Sequence, residues 1–60
     1  MIVETYTRHG RTAIILNETE GYVVQCFVGD TMVKTIDVSK YSLRYAEDTA
    51  ENWVTSIIKE

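Results

Sequence analysis

Four runs along the chain, near residues 2–8, 12–17, 21–28 and 31–37, are rich in β-branched and aromatic residues and are separated by Gly10, Gly21 and Gly29-Asp30. Glycine reverses a chain with φ > 0 at little steric cost, so the pattern predicts three turns and four antiparallel strands. The first run is the least regular, because Ile2, Val3 and Tyr6 do not alternate cleanly. Beyond residue 41 the period changes. Leu43, Ala46, Ala50, Trp53, Val54 and Ile57 recur at three and four, while Arg44, Asp48, Glu51, Asn52, Thr55 and Lys59 take the other side. This spacing predicts an amphipathic helix over 42–59, with the Ser42 hydroxyl capping its first turn. The expected fold class is α+β: an antiparallel β-meander of three to four strands with one C-terminal amphipathic helix packed on one face (ββββα). It forms a single domain over 1–60, with the sheet in 1–38 and the helix in 42–59.

The strand pattern carries an anomaly. With Gly29-Asp30 as a two-residue hairpin turn, Phe27 faces Met32, Cys26 faces Val33 and Val23 faces Ile36. One sheet face then holds Val23, Phe27, Met32 and Ile36 around Gln25 and Lys34. The other holds Tyr22, Val24, Cys26, Val28 and Val33 with Thr31 and Thr35. Ile14 and Leu16 against Ala13 and Ile15 repeat the ambiguity one strand earlier. Neither side alternates toward polar residues as a solvent face does, and one helix covers one face only. An uncovered apolar patch of several hundred Å² marks an interaction surface on a soluble domain. Tyr22, Val24, Cys26, Val28 and Val33 are the candidate interface, with a second copy of the chain as the simplest partner, because a patch that meets itself across a twofold closes the assembly. A bulge or register slip near Gly29 would redistribute these residues between the faces.

Size strengthens that expectation. A chain of 60 residues buries only about 60% of the surface its unfolded form exposes, and domains so small commonly lean on disulfides, metals or oligomerisation. Cys26 is the one cysteine, so no internal disulfide forms, and with His9 it gives no zinc-ligand spacing. Self-association is left, as a homodimer or higher homo-oligomer, and no cofactor or metal is expected. A formal charge of −3 argues against nucleic acid and anionic membrane surfaces as partners. The start of the chain meets Glu4 after three apolar residues without a hydrophobic leader segment, and its longest aliphatic run, residues 13–16, is too short to span a bilayer, which predicts a cytoplasmic protein.

No catalytic constellation emerges. His9 sits between Arg8 and Gly10-Arg11 at an expected turn tip without a placed nucleophile or carboxylate. Cys26 lies among Val and Phe, where a small buried hydrophobe is the ordinary reading of a thiol. Glu47, Asp48 and Glu51 read as a solvated helix surface, and Trp53 as a core anchor. The alternative to an interaction module is a small nucleic-acid-binding domain using the basic hairpin tip, with Tyr6, Arg8, Arg11 and Lys34 as contacts.

The three-stranded sheet followed by the helix "YSLRYAEDTAENWV" resembles the plan of the DNA-binding domains of phage integrases and AP2-type plant factors over residues 21–55. That resemblance implies DNA binding through the sheet, where those families carry basic residues and this chain has Val, Cys and Thr with Lys34 nearby. The compact, proline-free chain also resembles the small uncharacterised proteins of tailed phages of marine cyanobacteria. This implies a location in the host cytoplasm and a host or viral protein as partner.

Overall fold

A computed structural model describes residues 1–55. Strands β1 (Ile2–Arg8), β2 (Arg11–Glu18), β3 (Gly21–Val28) and β4 (Thr31–Asp37) form one antiparallel sheet in the order β1-β2-β3-β4, followed by helix α1 (Leu43–Thr55). This is the expected ββββα arrangement. The part of the expected helix beyond Thr55, with Ile57 and Lys59, lies outside the described residues.

Local chemistry accounts for the boundaries. His9 (φ 57°) and Gly10 (φ 78°) both take positive φ between the paired Arg8 and Arg11, as the two-residue hairpin turn that follows sheet twist requires. Gly29 (φ 61°) opens the β3–β4 turn, and its amide donates to the Gly10 carbonyl at 2.9 Å, joining the two hairpin tips. Gly21 carries a further constraint. At φ 131° a Cβ built on it would lie 2.5 Å from the Ser39 carbonyl oxygen, so the segment after β4 passes against bare backbone where no side chain fits. At the helix start the Tyr45 amide donates to Ser42 Oγ at 3.3 Å and the Ala46 amide to the Ser42 carbonyl at 3.1 Å. Ser42 is the N-cap.

Helix α1 packs across β1, β2 and β3, leaving β4 beyond its reach. Its buried stripe is Ala46, Ala50 and Val54, set against Ala13 and Ile15 of β2 and Val24 and Cys26 of β3. Small side chains on both layers let helix and sheet approach closely. Val38, just past β4, completes this core, held by its amide donating to the Tyr22 carbonyl at 3.2 Å. Val3, Tyr6, Tyr22, Ile36, Leu43 and Trp53 pack around the rim.

The β3–β4 register corrects the simple hairpin. Val28 pairs with Thr31 and Phe27 with Met32, but Cys26 then pairs with Lys34 and Val24 with Ile36. Val33 is the extra residue of a bulge. Beyond it every β4 side chain changes face, which turns Ile36 toward the core and leaves Thr35 and Asp37 opposite Gln25 and Val23.

Candidate interaction surface

Sheet register divides the strands into two faces. On the helix side lie Tyr6, Ala13, Ile15, Val24 and Cys26, with Ile36 of β4 on the same side against the edge of the core. On the other face the pairing sets out three rows across four strands: Ile2–Leu16–Val23–Asp37, Thr5–Ile14–Gln25–Thr35 and Thr7–Thr12–Phe27–Met32. Six of these are sizeable apolar side chains, and among the described residues no element packs over them. Ile14, Leu16, Val23 and Phe27 are half-buried, while Ile2 and Met32 are 58% and 51% exposed.

An open apolar face therefore exists, but it is not the one expected. Val24 and Cys26 are fully buried beneath α1 and Tyr22 is half-buried against the same core, so these three cannot line an interface. Val28 and Val33 are 48% and 50% exposed, at the end of β3 and on the bulge of β4 beyond the helix. The physical reason is the placement of the small residues. Ala13 and Cys26 leave room for the helix on one face, whereas Ile14, Phe27 and Met32 would hold it away from the other.

The residues of the basic tip are separated by the same geometry. Arg11 is half-buried, its guanidinium 4.8 Å from the Trp53 ring centroid and its Nη1 donating to the Trp53 carbonyl at 2.8 Å. It fastens the sheet to the helix. Tyr6 packs at the core rim, and burial first, then the nearby Glu4, Glu47, Glu51 and Asp48 carboxylates, push its hydroxyl pKa upward. Arg8 is exposed on β1 and Lys34 on β4, at opposite edges of the sheet. His9 is exposed at the turn.

Other chemistry is sparse. Burial raises the Cys26 thiol pKa, and Lys34 and Arg11 offset this only in part, so the thiol is held protonated and inaccessible. No group of three or more His, Cys, Asp or Glu among the described residues is arranged to hold a metal ion. None of their helices is long and apolar enough to cross a membrane. One shallow cavity of about 420 Å³ opens at the β2–β3 turn, lined by Leu16, Glu18, Glu20, Val23, Gln25 and Asp37 among others. The Asp37 carboxyl pKa is lowered, chiefly by the Ser39 amide that donates to its Oδ1 at 2.9 Å. No known protein family matches the chain, and neither a curated protein nor a solved structure does.

Trp53 was legible as a packing residue from its helical spacing, but its clamp on Arg11 joins residues 42 apart in sequence. Val38 carried no signal as a lone valine in a polar connection. The bulge at Val33 had a trace in the sequence, since Met32-Val33 and Lys34-Thr35 break the alternation of that strand, but the trace did not say which residue is the extra one.

Proposed function

We propose that this protein is a non-enzymatic interaction module that self-associates through the sheet face opposite its helix. One observation carries the reading: Ile2, Ile14, Leu16, Val23, Phe27 and Met32 share one face, framed by threonines and Gln25 and free of basic side chains. A second copy is favoured because an almost uncharged face meets itself without like-charge repulsion across most of its area. Strand and residue spacings give the three rows about 400 Å² per copy, or roughly 800 Å² in total. That lies below the size of a permanent interface, so the association is expected to be reversible and concentration-dependent.

The β4 edge is a poorer site for pairing. The Val33 bulge interrupts its ladder and Lys34 projects beside it, two devices that keep edge strands from joining. The nucleic-acid reading has less support, since Arg8 and Lys34 stand at opposite edges and Arg11 is engaged by Trp53.

Light scattering after size exclusion, across a hundredfold range of concentration, tests the proposal. The wild type should pass from monomer to dimer, and Val23→Lys or Phe27→Lys should remain a folded monomer throughout. A wild type that stays monomeric, or a Phe27→Lys variant that dimerises as well as the wild type, would overturn it.

A further inference from the structure

We infer that Met32 is an oxidation site that controls self-association: a peroxide converts its thioether to the sulfoxide, and a face carrying the sulfoxide no longer pairs with a second copy. This rests on the self-association proposed above and goes beyond it by naming what regulates the face. The chain has two methionines and one cysteine. Met1 is exposed ahead of β1 and outside the rows of the open face, and Cys26 is fully buried beneath the helix. Met32 is the sulfur that is both reachable and on the apolar face, half exposed at the end of the row Thr7–Thr12–Phe27–Met32.

A contact fixes where that sulfur sits. The Thr35 hydroxyl donates to Met32 Sδ at 3.8 Å, and Thr35 belongs to the middle row of the face, opposite Gln25. The thioether therefore leans from the outer row toward the centre of the surface that a second copy would cover. In the free chain Met32 stays half exposed, which gives a peroxide access to it.

Oxidation changes what the face can bury. The sulfur lone pair attacks one peroxide oxygen, the O–O bond breaks and an S–O bond forms. Sulfur gives up two electrons, and the departing oxygen takes the proton of the transferred one and leaves as water or an alcohol. A flexible apolar side chain becomes a polar one with a strong acceptor. In the free chain that oxygen is hydrated, with the Thr35 hydroxyl as a further donor beside it. Covered by a second apolar face it would lose its water, and a buried acceptor without its donors opposes association. The coupling runs both ways, because a sulfur covered in the associated pair is shielded from peroxide.

Hydrogen peroxide is the probe, with peptide mass mapping to follow oxygen at Met1 and Met32 and sedimentation equilibrium to follow association. Conversion of Met32 should weaken association by roughly tenfold or more while circular dichroism stays unchanged, and methionine sulfoxide reductases should restore it. Met32→Leu should associate as the untreated wild type does and keep doing so after peroxide, which assigns the effect to Met32 and not to Met1. Raising the protein concentration across the association range should slow oxidation at Met32 and leave that at Met1 unaffected. Unchanged association after full conversion of Met32, or equal weakening of Met32→Leu by peroxide, would overturn the switch while leaving self-association intact. An oxidation rate at Met32 that ignores protein concentration in an associating wild type would overturn it as well. A wild type that stays monomeric before any treatment would overturn self-association itself, and the switch with it.

Discussion

Ile14 and Ile15 are neighbours in the chain and have different fates. Ile15 is fully buried with Val24, beneath Ala46, Ala50 and Val54, while Ile14 is half-buried in the middle of the open face beside Gln25 and Thr5. Hydrophobicity does not distinguish the faces, since both are rich in Val, Ile and aromatic residues. Steric fit does. The covered face has Ala13 and Cys26 in register at its centre, and the helix answers with Ala46 and Ala50, all four fully buried. The open face offers larger, less even side chains framed by threonines, a surface that can be covered reversibly.

The widest separation between the faces should appear when the two isoleucines are truncated. Ile15→Ala is expected to cost about 2–5 kcal/mol, enough to unfold most of a domain this small, because it opens a cavity in a closed core. Ile14→Ala should leave urea stability within roughly 1 kcal/mol and instead weaken association. Equal losses at both positions in chemical denaturation would erase the distinction between the faces.

Gly21→Ala probes the seam where the segment after β4 crosses the sheet. A Cβ there collides with Ser39 backbone and φ is positive, so the variant should lose about 1–3 kcal/mol. Gly10→Ala, with open space around it, should lose only the smaller cost of its positive φ. A melting series of both variants measures the difference.

The clamp between sheet and helix comes next. Arg11→Ala removes the stacking on Trp53 and the bond to its carbonyl, and should lower stability by about 1 kcal/mol, several degrees in Tm for a domain of this size. Trp53 emission should change with it. Arg8→Ala, an exposed neighbour across the same turn, should change neither.

The smallest effect concerns Cys26 and pH. Its thiol pKa is raised in the folded state, first by burial, so folding favours the protonated form. That contribution is complete below the unfolded thiol pKa of about 8.5 and is lost as pH rises through the higher folded value. Stability should therefore decline on the alkaline side, less so in Cys26→Ala. At neutral pH the native thiol should resist alkylation until denaturant is added; rapid labelling of native protein would contradict its place in the core.

The strands, the three turns and the helix with its Ser42 cap were legible in the sequence because each depends on neighbours a few residues apart. Glycines supply positive φ, β-branched runs favour extended backbone, and a serine oxygen meets an amide three residues on. The open face was only half legible. That one apolar face would be uncovered followed from counting apolar positions against a single helix, yet Tyr22, Val24 and Cys26 were placed on it and belong to the other.

Sequence by itself thus determined the order and kind of the elements and the excess of apolar surface, since those follow from local backbone preference and composition. Tertiary structure alone decided which face the helix covers, the extra residue at Val33 that turns Ile36 inward, the approach of Ser39 to Gly21 and the capture of Arg11 by Trp53. Each of these is a contact between distant segments, selected by whether side-chain volumes fit across a layer. Alternation along one strand is the same on either side of the sheet and carries no record of that fit.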